Sequence, residues 1–188
     1  PQIGGMGMVC ADEAEALAKQ GHEVTVFTLK YPHLLDLEEF DKKFSFKVAR
    51  LRSLVKFGDA GLVPQITPRL KGFDLAHLHY PFYGGAEWLV FSRIPLVISY
   101  HMDAQTGGFK KLAQKLYDGF WPKILFAKAK KIISVDAILP ARLKFYEEIK
   151  KKLVEIPNGV DMEMFKPRTI SGRDLNLPEL EGKKIILF

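Results

Sequence analysis

The residue types that could act on a ligand lie in a glycine run, Gly4-Gly5-Met6-Gly7, and in two histidines, His79 in "AHLHY" and His101 in "ISYHMD". Glycines permit positive φ and close approach of a backbone to a ligand, and a helix opening behind them offers free N–H groups to an anion such as a diphosphate. The same run also serves as a tight strand-to-helix turn without a ligand, and its spacing does not separate the two readings. It is not a nicotinamide-dinucleotide fingerprint. The G-x-G-x-x-G spacing is absent, and the strand that follows ends "VFTLK", without the acidic residue that would hold a ribose.

His79 and His101 each end a run that reads as a strand, and in open α/β sheets ligands bind at the carboxyl ends of the strands. A neutral imidazole there donates or accepts one hydrogen bond to a sugar hydroxyl or a phosphate. For His79 a structural histidine bonded to a neighbouring loop is an equal alternative; for His101, followed by Asp103, the functional reading is favoured. His77 shares the face of His79 by the period of two and reads as structural. No H-E-x-x-H or comparable spacing occurs, so no metal site is expected. In "IPNGVDMEMFKP", Asn158-Gly159 is a turn dipeptide, Asp161 is placed to cap a short helix, and Pro167 to end it.

These positions need a scaffold of alternating strands and helices, and the chain supplies one. Cys10, Ala14, Leu17 and Ala18 fall on one helical face, with Gly21 where a helix C-terminal glycine would stand. Strand runs follow at "HEVTVFTL", "FSFKVARL", "DLAHLHY", "PLVISYH", "KIISVD" and "LVEIP", with helical patterns around 84–93, 109–129 and 137–150. Several runs are apolar at consecutive positions, as strands covered by helices on both faces require. The fold class expected is α/β, a Rossmann-like, doubly wound, mostly parallel sheet. After Pro167, "RTISGRDLNLPELEGKK" reads as a linker, and "KIILF" as a buried strand that would open a further domain. The glycine run, in turn, lacks the strand that normally precedes such a turn.

Composition bounds the rest. A chain of 188 residues with 47% hydrophobic content buries a full core. A single cysteine, Cys10, excludes an intramolecular disulfide and a cysteine-based zinc site, and favours a reducing interior. No run approaches the ~20 apolar residues of a membrane span, and no leader is evident, so the sequence reads as soluble and cytoplasmic. The net charge of +6 allows an anionic partner without choosing one. The basic stretch "FKKLAQKLYDGFWPKILFAKAKK" fits either a helix packed on its own sheet or one touching the inner face of a membrane, and Pro122 is expected to break or kink it. Abundant lysine and only two asparagines hint at a thermophilic source. No basic and aromatic recognition motif accompanies the charge, so nucleic acid is not an expected partner.

Four segments, in order, resemble one family. "PQIGGMGMVCADEAEALAKQGHEVTVFT" is similar to the opening of family 4 glycosyltransferases, with its P-x-x-G-G-x-G loop. "DLAHLHYP" resembles their D-x-x-H-x-H segment, "IPLVISYHMD" their strand ending in histidine, and "IPNGVDMEMFKP" their I-P-N-G-V-D-x-x-x-F-x-P signature. The resemblance implies the N-terminal half of a GT-B fold. Residues 1–167 would be the acceptor-side domain lacking its first strand, and 168–188 a linker and the first strand of a donor-binding domain. It implies transfer of a sugar from a nucleotide-diphosphate sugar to a hydroxyl acceptor, free or lipid-linked, with retained anomeric configuration and no cofactor or metal.

Carried onto this sequence, the resemblance places Gly4, Gly5 and Gly7 at the donor diphosphate and His101 at the reaction centre. His79, Tyr80 and Asp103 would line the acceptor side of the cleft. Asp136 stands where the family often has serine, and the paired-glutamate donor motif, E-x(7)-E, is not among these residues. Residues 1–188 alone are therefore expected to turn over weakly or not at all. The alternative is a non-catalytic carbohydrate or anionic-lipid binding module of the same fold.

Overall fold

The computed structural model describes residues 5–31, 37–58, 60–102 and 110–163, together with 165, 166, 177, 179, 183 and 184. The chain divides into two compact units, residues 1–157 and 158–188. In chain order the first unit holds α1 (Gly5–Lys19), β1 (Thr25–Leu29), α2 (Leu37–Asp41), β2 (Lys47–Leu51), β3 (Lys56–Phe57), β4 (Ala60–Gly61), α3 (Ile66–Arg69) and β5 (Ala76–Tyr80). A 3-10 turn (Ala86–Phe91), β6 (Leu96–Tyr100), α4 (Lys110–Lys128), β7 (Lys131–Ser134), α5 (Ile138–Ala141), α6 (Tyr146–Ile149) and β8 (Leu153–Glu155) follow.

The strands form two parallel groups. β5, β6, β7 and β8 lie side by side in that order, and β1 pairs with β2. The parallel α/β reading of the sequence is thus realised, and each of the six strand runs carries a strand. The exception is β3–β4, an antiparallel pair of two residues each that no periodicity announces. The apolar run of β6 explains its place: Leu96, Ile98 and Tyr100 are buried and so is Ser99 on the opposite face, as expected of a strand covered on both sides. Tyr80 of β5 and Tyr100 of β6 pack edge-on against Phe126 of α4, with ring centroids 5.2 and 5.6 Å apart.

Helix α1 ends as its sequence requires. The Gly21 N–H reaches Ala18 O at 3.0 Å and the His22 N–H reaches Leu17 O at 3.2 Å, with Gly21 at φ +93°, a left-handed cap that only glycine adopts without strain. Helix α4 departs from expectation, running unbroken from Lys110 to Lys128 through Pro122. An interior proline costs a helix about 3 kcal/mol, whereas full burial of Leu125 and Phe126 from this helix stabilises by about 1.5–3 kcal/mol each, so packing outweighs the lost bond.

The turn after β5 is fixed by Gly84. Its φ is +81°, its carbonyl accepts from the Val63 N–H at 2.8 Å, and a Cβ there would stand 2.4 Å from Gly61 O. We expect Gly84→Ala to cost about 2–4 kcal/mol of folding stability, from backbone strain and displacement of the β3–β4 turn. Urea unfolding measures it, and a loss under about 0.5 kcal/mol would contradict the contact.

In the second unit, Asp161 accepts from the Glu163 N–H through Oδ1 and from the Phe165 N–H through its carbonyl, both at 2.8 Å. The carboxylate closes a turn, and among the described residues no helix follows it. The segments 32–36 and 103–109 lie outside the described residues, as does nearly all of "KIILF".

Candidate functional site

Alternation along β5 separates two functions. Ala76, Leu78 and Tyr80 turn into the core, while His77 and His79 turn to the other face and stay half-buried. His101 follows the last residue of β6, and its N–H donates to Tyr80 O at 3.1 Å, which extends the ladder by one bond and fixes it beside the end of β5. The two imidazoles meet there: His79 Nδ1 lies 2.9 Å from His101 Nε2, with the rings nearly parallel at 12°. One ring donates and the other accepts, so the tautomers of the two rings are coupled: whichever nitrogen holds the proton, the other ring presents a lone pair. His77 makes its own bond, Nε2 to Ser99 Oγ at 2.8 Å, diagonally across the β5–β6 pair.

Glu13, on α1, completes the group from above. Its Oε2 lies 3.6 Å from His79 Nε2 and 3.8 Å from His77 Nδ1, and its side chain is 39% exposed. No sequence signal singled this residue out; it joins the histidines only because α1 packs across β5. Burial holds all three imidazoles below their ordinary pKa. His77 is lowered by burial and then by His101, and His101 by burial alone. For His79 burial, with His77 and His101 adding to it, pushes the value down to about 3. Burial also raises the carboxyl of Glu13. At neutral pH the histidines are therefore uncharged, available as hydrogen-bonding groups or as ligands and not as general acids.

The other expected site residues are placed differently. Gly5 and Gly7 stand inside the first turn of α1 and not in a loop ahead of it, and a Cβ at Gly5 would meet no atom within 4 Å. Gly4 and Asp103 lie outside the described residues. Tyr80 does not join His79 at an acceptor wall: it is 4% exposed, in the core, on the opposite face of the strand. The period of two in β5 dictates this, because adjacent residues cannot share a face. Asp136, at the family's serine position, accepts from the Ile138 and Leu139 N–H groups at 2.8 Å each, so its carboxylate is engaged in opening α5.

Met6, Gly7 and Cys10 of α1 and both β5 histidines border a cavity of about 250 Å³. Burial and the nearby Glu13 push the Cys10 thiol up to about 11, so it is a thiol, not a thiolate, at neutral pH.

A parallel sheet that binds ligands at its carboxyl edge is shared by many folds. The deciding comparison is with families: the model described as "Glycosyltransferase Family 4" matches residues 3–164. The chain belongs to glycosyltransferase family 4. It is also similar to a D-inositol 3-phosphate glycosyltransferase of Kineococcus radiotolerans, at 26% identity over 98% of this chain and 47% of that protein. The chain spans about half the length of this curated relative. The family match spans residues 3–164 and so includes α1, β5 and the end of β6.

Proposed function

We propose that this chain is the acceptor-side half of a retaining glycosyltransferase that moves a sugar from a nucleotide-diphosphate donor to a hydroxyl acceptor. The observation that carries the reading is the bond between His79 and His101, which fixes one ring of a neutral pair at the carboxyl edge of the sheet. A neutral His101 so held offers its remaining ring nitrogen to a donor-sugar hydroxyl. Neither histidine is assigned as a covalent nucleophile. The departing diphosphate takes the acceptor proton, while the protein supplies orientation and stabilises the developing negative charge. The N–H groups at the start of α1 favour that anion at a helix N-terminus, and Gly5 leaves the approach open. The donor base and much of the donor sugar are assigned to a second domain, as are the paired glutamates.

The test is release of nucleoside diphosphate from a panel of nucleotide sugars in the presence of sugar and lipid-linked hydroxyl acceptors, above the release seen without acceptor, with the protein expressed at the full length of its gene. Release with one donor, and little from residues 1–188 alone, is expected. No release across donors of every common base would overturn the reading in favour of a binding module.

A second reading concerns location. Leu116 and Phe120, one turn apart on α4, are 70% and 57% exposed on a lysine-bearing helix. No helix among the described residues is long and apolar enough to cross a membrane, so contact through this helix would be peripheral. We expect co-sedimentation with vesicles containing anionic lipid that falls with salt and is lost in Leu116→Glu/Phe120→Glu. Equal sedimentation of that variant would exclude α4 as the contact.

A further inference from the structure

We propose that Glu13, His77 and His79 form a binding site for one divalent transition-metal ion of the zinc class. His77 and His79 are two apart on β5, so both rings leave the same face of the strand, and α1 brings the Glu13 carboxylate over them. One atom from each, His77 Nδ1, His79 Nε2 and a Glu13 oxygen, all lie within 4.8 Å of one another. The separations of 3.8 and 3.6 Å from Glu13 Oε2 are too long for hydrogen bonds. Tetrahedral ligands that share an ion at about 2.0–2.2 Å each stand about 3.4 Å apart, so the Glu13 pairs need shifts of a few tenths of an ångström, and the two imidazoles, within 4.8 Å of each other, turn about χ1 and χ2 to close on the ion.

The outer nitrogens strengthen the case. His77 Nε2 is bonded to the buried Ser99 hydroxyl, and His79 Nδ1 to His101 Nε2. With a hydrogen on each outer nitrogen, both inner nitrogens direct lone pairs at a carboxylate. Three acceptors then converge with no donor among them, an arrangement that a cation satisfies. Imidazoles that bind zinc characteristically donate their second N–H to an acceptor that fixes the tautomer, a place that the hydroxyl and the third imidazole fill here. Two neutral imidazoles and one carboxylate match zinc, cobalt or nickel better than magnesium or calcium, which take oxygen ligands. The partial exposure of Glu13 leaves a path for entry and a fourth position for water.

The ion is assigned no step in sugar transfer, and the inference stands on geometry independent of that reading. Its consequence reaches the same ring all the same. An ion on His79 Nε2 makes the Nδ1–H a stronger donor and locks His101 Nε2 as the acceptor.

The experiment is titration of the chelator-treated, full-length protein with Co2+, followed by visible absorption, and with Zn2+, followed by calorimetry. One ion per chain with micromolar or tighter affinity is expected. Glu13→Gln should weaken it at least ~10-fold, as should His77→Gln, and Ser99→Ala, which touches no ion, by about 10-fold. Glu13 is on the surface of a helix, so circular dichroism of Glu13→Gln should match the parent and keep the test interpretable. Absence of binding overturns the proposal. So does equal affinity of parent and Glu13→Gln, which would move the ion to an exposed group such as His22.

Discussion

Replacing His101 by alanine in the protein expressed at the full length of its gene is expected to lower sugar transfer by about 10²–10⁴-fold, with little loss of folding stability. The side chain is only half-buried and its one described polar contact is with His79, so its removal opens no core cavity. What it removes is an oriented neutral donor at the edge where the sugar would sit. The loss should fall on kcat more than on KM, because a group that strengthens its bond as charge develops acts on the transition state. His79→Ala should give a smaller loss, since it removes the partner that orients His101 and not the contact itself. A His101→Ala enzyme with unchanged kcat would end the assignment of that residue.

The second large effect concerns the sheet. β1 and β5 are not bonded to each other, and the inward residues Thr25 and Phe27 of the one and Ala76 and Leu78 of the other face the same cavity of about 250 Å³. The charge in its lining is answered: Arg50 makes a two-bond pair with Asp41, at 2.7 and 2.5 Å. What is left is mainly apolar. A strand leading into α1 and returning in β1 would be a right-handed βαβ unit, and its natural seat is between these two edges. We expect that a strand restored ahead of Pro1 occupies this seat. Pairing on both sides and filling the cavity should add several kcal/mol and raise the thermal midpoint by about 10 °C. A midpoint unchanged by the extension would show that β1 and β5 do not flank a common strand.

Much of the scaffold was legible because the signals were local. The consecutive apolar residues of "PLVISYH" and "KIISVD" require burial on both faces, and Gly21 marks the end of α1 without any tertiary information. The β3–β4 pair was not legible. Two residues on each side carry no period, and their geometry is set by Gly84 packing on Gly61. The same limit divided the site. His79 and His101 were readable from their strand ends, and their pairing follows from the β5–β6 register. Tyr80 stands in the core and not at the cleft, as the alternation of β5 requires. Being next to His79 in sequence places it on the opposite face. Glu13 and the part of His77 could not be read, because they depend on the packing of α1 over β5, a contact between residues 64 positions apart. Pro122 stays inside α4 for a related reason. A local helix breaker was outweighed by the burial of Leu125 and Phe126, which only the folded sheet provides.

The most direct test of the central claim is the anomeric configuration of the product. The protein expressed at the full length of its gene would be given the nucleotide sugar that supports diphosphate release, with a hydroxyl acceptor, and the new glycosidic bond read by the proton coupling of its anomeric carbon. A product with the configuration of the donor is the result predicted. An inverted product, or hydrolysis of the donor with no sugar on the acceptor, would contradict it.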